Sequence, residues 1–375
     1  MKLPSFKIED FFAKYEFKSQ YLLCCSDCES YSIEELLSME MGAMEKFQRH
    51  WLGYTETHGN PELREEIATL YKNNSAENIL VQSGTEETIF VFMNVALNPE
   101  DHVIIHFPCY GSLIDIPRQI GCEITPWTAN EENGWSLDIN FLERNIKENT
   151  RAIIMNLPHN PSGYLMEKND YLQVVELARK HNLLIFSDEI YRLLEYNRED
   201  RLPPACDLYE NAISTGGTAK VLGLAGLRIG WIATQNKSLI DQMASYKNYL
   251  TICSSAPSEF LATIALRQRE KILQRNLDIV FHNLQLLDEF FERYQNFLQW
   301  HRPTAGPIAF PGFRQDIDAH AFSMELLAEQ DVLLLPSEVY DFDRTHFRIG
   351  FGRKNIPECL ERLDSFLMKK DVEVV

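Results

Sequence analysis

The stretch STGGTAKVLGLAGLRIGW, residues 214–231, decides how the rest of the chain is read. One lysine, Lys220, sits among small residues and threonines, and Arg228 follows eight positions later. Between them, Gly223 and Gly226 are expected to relieve backbone crowding. A solvated surface lysine needs no such setting. A lysine that gives up its proton, attacks an aldehyde and lies beside a phosphate uses all of it.

Outward from this stretch, short apolar runs alternate with helical patterns. Residues 78–82 (NILVQ), 102–107 (HVIIHF), 151–156 (RAIIMN), 183–187 (LLIFS), 212–215 and 229–234 read as strands, and 86–96 and 171–180 as helices. That alternation predicts an α/β domain with a mostly parallel central sheet flanked by helices. From 258 to 297 the pattern is almost continuously helical; prolines and glycines then punctuate short elements before a last helix near 357–368. The expected division is a large domain at 45–257 and a smaller α+β domain built from 1–44 and 258–375, reached through a long connecting helix near 258–297.

Several segments carry chemistry at the ends of these strands. VQSGTEE (81–87) follows a strand and opens a helix, so backbone N–H groups and the positive end of the helix dipole converge there, with Ser83 and Thr85 adding hydroxyls around Gly84. A plain helix cap explains this segment equally well when it is taken alone. NLPHNPSG (156–163) is a strand-end turn whose prolines and glycine fix the backbone and aim Asn160. His159 reads as loop packing. In SDEIY (187–191), Asp188 lies at the C-terminal end of an apolar strand, above the crevice where α/β folds bind ligands. Tyr110, in FPCY (107–110), is an aromatic suited to stacking on a flat ring. Arg348, in FRIGF (347–351), presents a fork that binds a carboxylate in bidentate fashion, while Arg344 and Arg353 read as solvated neighbours.

Taken together and in this order, from Tyr54 to Gly350, the motifs resemble those of class I/II aminotransferases, the fold-type I enzymes that use pyridoxal 5′-phosphate. The resemblance implies a Schiff base on Lys220, a phosphate held by Arg228, Ser83, Gly84, Thr85 and Thr218, and Asp188 facing the pyridine nitrogen. It implies Asn160 and Tyr191 on the ring oxygen, Tyr110 against the ring, and Arg348, with Asn160, on the substrate's α-carboxylate. GYTETHGNPELR (53–64) is similar to a family segment whose tyrosine reaches the neighbouring subunit's phosphate, so Tyr54 implies a homodimer with shared active sites. Gly217 departs from the pattern, since many relatives carry serine there; Thr215 or Thr218 is the candidate substitute hydroxyl. The implied activity is amino-group transfer between an L-amino acid and a 2-oxo acid. FPCYGSL and NLPHNPSG also look similar to capreomycidine synthase-like enzymes, which keeps cyclase, lyase or decarboxylase chemistry on the same cofactor as the alternative.

Composition narrows the field. The chain has 375 residues, 36 basic against 55 acidic side chains, and a net charge of −19, which argues against nucleic acid or an anionic membrane as partner. A cofactor-responsive DNA-binding regulator would need an added basic module, and the segment before Tyr54 is short and not basic. No secretory signal pattern or membrane span is expected, and the eight cysteines read as free thiols of a cytoplasmic protein, with no metal site. Only Cys25 and Cys28 have redox or zinc spacing, and nothing completes a metal set. Residues 27–32 are expected to cover the site.

Overall fold

The computed structural model describes residues 3–372. Its centre is a seven-stranded sheet of β1 (Ile79–Gln82), β2 (His102–Phe107), β3 (Glu123–Thr128), β4 (Thr150–Asn156), β5 (Leu184–Asp188), β6 (Ala212–Gly217) and β7 (Gly230–Ala233). The spatial order is β1-β7-β6-β5-β4-β2-β3. From β3 across to β6 all pairs are parallel, and β7 runs antiparallel to both its neighbours. Strands covered on both faces read as apolar runs, which is why these were visible in the sequence.

Alternation along the strands divides their side chains between two cores. Val103, Ile105, Ile154 and Phe186 bury on one face with helices Thr85–Ala96 and Lys237–Lys247. Ile104, Ile153 and Ile185 bury on the other, beneath helix Lys168–Lys180. The edge strand β3 escaped the sequence reading because most of its residues stay exposed or half-buried and Pro126 interrupts it.

A third core gathers Leu23 with residues from Val280 to Leu367, under helices Ala319–Gln330 and Ile356–Lys369. Two expectations change here. The helical run near 258–297 is two helices, Ala256–Arg267 and Arg269–Arg293, separated at Gln268. The first packs with Ile79, Val81 and Trp231 of the large sheet, and so do Leu36, Leu37 and Ala43 from the N-terminal region that the sequence reading placed in the small domain. Apolar contact with the sheet, rather than helical continuity, sets that allegiance.

In the small unit, strand Phe347–Gly350 lies between Ile308–Ala309 and Leu335–Pro336. Phe347 and Ile349 enter its core, so Arg348 between them points to the opposite face, towards the large sheet's strand ends.

Candidate active site

The C-terminal ends of β4, β5 and β6 open into a cleft of about 650 Å³ whose lining includes Asn156, Asn160, Asp188, Tyr191, Lys220, Arg228 and Arg348. Lys220 is carried by the connection between β6 and β7, tied down by Thr218 N–H to Ile229 O (3.0 Å) and Leu224 N–H to Thr218 O (3.0 Å). Gly223 has φ +67°, and a Cβ there would run into the Glu29 carbonyl. Gly226 faces open space, so only the first of the two glycines relieves crowding. The Lys220 ammonium donates to Ser26 Oγ at 2.9 Å. Burial lowers its pKa from the ordinary lysine value, against the pull of Asp27.

A second buried lysine shows what a structural one looks like. Lys247 Nζ donates to Val81 O (2.7 Å), Thr57 O (2.8 Å) and Ser254 Oγ (3.4 Å). Those three acceptors match its three protons. Lys220 has one such partner and a cleft before it.

Asp188 closes β5 and is buried, with the Ile190 N–H on Oδ1 at 3.2 Å. Burial pushes its carboxyl up to about 7, and Lys220 opposes that shift only weakly. Glu189 is engaged elsewhere, accepting from Ser214 Oγ (2.6 Å) and Ala205 N–H (3.0 Å). Only Asp188 lines the cleft. Tyr191 is buried, and burial raises its phenol to about 12.

Hydrogen bonds join the two units across the cleft. Asn156 Nδ2 donates to the Asp188 carbonyl (2.9 Å), and Asn156 Oδ1 accepts from the Asn160 N–H (2.6 Å). Asn160 Oδ1 in turn accepts from Arg348 Nη1 and from the Tyr340 hydroxyl, both at 3.1 Å. Arg348 also donates to Tyr340 Oη (2.7 Å) and to the Cys24 carbonyl (2.8 Å), while its Nε, though buried, has no partner. All three acceptors are neutral. A guanidinium 2% exposed and lacking a carboxylate is set to receive one.

The phosphate end corrects one expectation. Thr218 is fully buried and its hydroxyl turns to the carbonyls of Leu224 (3.4 Å) and Ile229 (3.3 Å), away from the cleft. Thr215 donates to Trp231 O (2.9 Å) and pairs with Thr88 Oγ1 at 2.8 Å. Thr85 is the hydroxyl that remains, since its Oγ1 is buried without a partner. It lies 2.8 Å from where a Cβ on Gly217 would stand. A serine at 217 and a threonine at 85 compete for one place, and this chain uses the threonine. Gly84 likewise leaves room for Arg228, whose Nη2 would be 2.7 Å from an added Cβ. The backbone N–H groups of Ser83 and Gly84 are turned inward, to the Glu87 carboxylate and to Gln82 O. Introducing Gly217→Ser should cost about 1–3 kcal/mol by overpacking. It should also weaken cofactor retention, and adding Thr85→Ala should restore both, as thermal midpoints and cofactor titration will show.

Other predicted residues have mixed placements. Tyr110 lines the cleft, but its hydroxyl donates to Glu9 (2.7 Å) and its ring lies 5.0 Å from that of Phe6. Tyr54 is 83% exposed and outside this cleft. Arg344 pairs with Asp316 at the surface, whereas Arg353 lines the cleft and holds Asp27 at 3.0 Å. The cover over the site comes from Phe6, helix Lys7–Tyr15 and Phe17, rather than from residues 27–32 alone. Ser26 and Tyr340 escaped the sequence reading because only tertiary contact brings them to Lys220 and Arg348.

Beneath the floor, His159 is fully buried, with Nε2 at 2.7 Å from Pro108 O and Nδ1 at 2.7 Å from Ser162 Oγ. The carbonyl requires Nε2–H, and the Ser162 hydroxyl, which already accepts from the Tyr164 N–H, is placed to donate to Nδ1, so the neutral ring is the form that fits. Its ring stacks on His106 at 3.7 Å. Burial lowers the His159 pKa from 6.5 to about 4. A depressed folded value means its stabilisation is complete above pH 6.5 and is lost as pH falls towards 4. That difference of about 2.5 units corresponds to at most roughly 3 kcal/mol. Urea midpoints between pH 7 and 5 should therefore fall more steeply in the wild type than in His159→Gln.

This fold and this lysine-centred cleft define an enzyme of the pyridoxal-phosphate-dependent kind. Residues 34–363 match the family model for aminotransferase class I and II, and the chain belongs to that family. It is 24% identical to capreomycidine synthase of Streptomyces vinaceus over 93% of this chain and 90% of that one. It is 24% identical to an aspartate aminotransferase of Sulfurisphaera tokodaii, over 87% and 85% of the two chains. A crystal structure of a PLP-dependent aminotransferase from Streptococcus suis 89-1591 superposes with a TM-score of 0.92 at 30% identity, covering 98% of this chain and 99% of that one. The cofactor is pyridoxal 5′-phosphate. Among the described residues no helix is long and apolar enough to cross a membrane.

Proposed function

We propose that the chain transfers an amino group between an L-amino acid and a 2-oxo acid, and that it does so as a homodimer. The observation that carries this reading is the placement in one cleft of Lys220, with a single hydrogen-bond partner, opposite the buried, carboxylate-free Arg348. The residues present fit the cofactor. Thr85 Oγ1 is an unpartnered buried donor at a helix start, Arg228 stands beside Gly84, and Asp188 is a buried acid without an ion-pair partner among the described residues. Thr85 and Arg228 would hold the phosphate, Asp188 the ring nitrogen, and Asn160 and Tyr191 the ring oxygen. Bound there, the cofactor supplies an electron sink that acidifies the substrate's Cα–H bond.

The chain's own groups do the rest. Arg348 takes the α-carboxylate and thereby fixes which face of Cα is presented to Lys220. Lys220, its ammonium form disfavoured by burial, accepts the Cα proton as general base and would return it as general acid to the cofactor's C4′ carbon, on the other side of the shared nitrogen. Phe6, Phe12 and Tyr110 line the same space and limit water beside the reacting atoms. Support for the homodimer comes from Trp51, Leu52, Tyr54 and Tyr249, each 77–89% exposed on one chain, on two segments joined by Thr57 Oγ1 and Asn248 Oδ1 at 3.1 Å.

The relationship to capreomycidine synthase favours cyclisation as the second reading. Holoprotein given one amino acid and no oxo acid separates the two. Stoichiometric conversion of the bound cofactor to its amine form is expected. Repeated turnover yielding ammonia, carbon dioxide or a cyclic product would reject transamination.

A further inference from the structure

The cleft holds more acid than its own cations use. Its basic residues are Lys220, Arg228, Arg348 and Arg353. Under the proposed reading the first three serve the cofactor and the α-carboxylate, and Arg353 is committed to Asp27 through contacts of 3.0 and 3.2 Å. Glu9 and Glu16 also line the cleft, and their hydrogen-bond partners are neutral: the Tyr110 hydroxyl (2.7 Å) and the Cys25 thiol (3.8 Å). Glu86, a third unpaired acid, contacts Ser112 and belongs to the cofactor end beside Arg228.

The position of the two acids on their helix is informative. Glu9, Phe12 and Glu16 follow the i, i+3, i+7 spacing of a single face, and all three line the cleft, Glu9 at its exposed rim, while Asp10 and Lys14 are exposed outside it. A helix that only had to cover an apolar pocket would carry its carboxylates outward. Here two of them flank Phe12, whose ring lies 5.8 Å from the Arg348 guanidinium. Along the axis they are about 10 Å apart. Arg348 supplies the independent sign of a ligand, being 2% exposed with an unpartnered Nε. A molecule anchored by its carboxylate on Arg348 would share the cleft with Phe12 and with both acids. Burial also raises the Glu16 carboxyl, a cost that the Arg353 guanidinium offsets in part and a substrate cation would offset further.

We propose that Glu9 and Glu16 form the side-chain subsite of the enzyme and select amino acids whose side chain ends in a cation, an amine or a guanidinium. This rests on the transamination reading. It sets aside a dicarboxylic substrate, because the second carboxylate would meet Glu9 and Glu16 and the remaining arginine is held by Asp27.

The test compares lysine, ornithine and arginine with the neutral norleucine and with glutamate, by single-turnover conversion of the cofactor in the holoenzyme. Cationic substrates are expected to exceed norleucine roughly ten- to hundredfold in kcat/KM. In the Glu9→Gln/Glu16→Gln double variant that ratio should fall at least about tenfold. A wild-type preference for norleucine or glutamate, or a ratio unmoved in the variant, would overturn the proposal. If no amino acid converts the cofactor, transamination itself fails. Binding of α-methyl-lysine against α-methyl-norleucine, read from the cofactor's absorbance, then still decides the subsite. Tighter binding of the cationic analogue, weakened in the double variant, supports it; equal binding rejects it.

Discussion

Lys220→Ala is expected to abolish covalent retention of pyridoxal phosphate and to lower turnover by at least about 10⁴-fold, because under the proposed function one nitrogen serves as both attachment point and proton carrier. The fold should survive. Lys220 contributes one side-chain hydrogen bond, to Ser26, and its burial disfavours its charge, so truncation removes a desolvated cation rather than a structural tie. A circular dichroism spectrum and thermal midpoint close to those of the cofactor-free wild type should accompany the loss of activity. Lys247→Ala should behave in the opposite way, since it strips the partner from Val81 O and Thr57 O. Destabilisation by about 2–4 kcal/mol is expected there.

Asp188→Ala should have the second-largest effect. Removing one partner from a buried ion pair costs about 3–5 kcal/mol, and under the proposed function the lost partner is the one that would keep the ring nitrogen protonated. Turnover should fall about 10²- to 10⁴-fold. Asp188 also leaves a signature in the cofactor-free protein. Its carboxyl is raised from 3.8 to about 7, so the folded state holds a proton that the unfolded chain has released. The sign follows: its favourable contribution is complete below pH 3.8 and is lost as pH rises through about 7. The span, 7 minus 3.8, corresponds to at most roughly 4 kcal/mol. Cofactor-free wild type should therefore lose stability from pH 5 to pH 8 relative to Asp188→Asn. The cofactor's ring cation should remove the difference, as denaturant titrations with and without it will show.

The convergence of Asp188, Asn160 and Arg348 on one cleft was legible in the sequence because these residues sit at or beside strand ends. Asp188 follows an apolar run, Asn160 sits in a proline-bounded turn, and Arg348 alternates with two core residues, so local pattern alone aims these side chains. Thr85 was among the hydroxyls the sequence offered, but which threonine is left without a partner was not legible. The choice among Thr85, Thr215 and Thr218 depends on how β6 packs against the start of helix Thr85–Ala96, and one-dimensional spacing carries no trace of that packing. The break at Gln268 was hidden because helical periodicity continues across it, and the packing partner changes only further on: Ile272 and Leu273 still lie with the large-sheet core, and Val280 onward with the small one. The N-terminal cover was missed because the short helix Lys7–Tyr15 shows its role only through what lies beneath it.

The most direct test is peptide mass mapping of holoprotein after borohydride reduction. The account predicts a single pyridoxyl adduct, on the peptide containing Lys220. An adduct on Lys247 or any other lysine, or none at saturating cofactor, would contradict it.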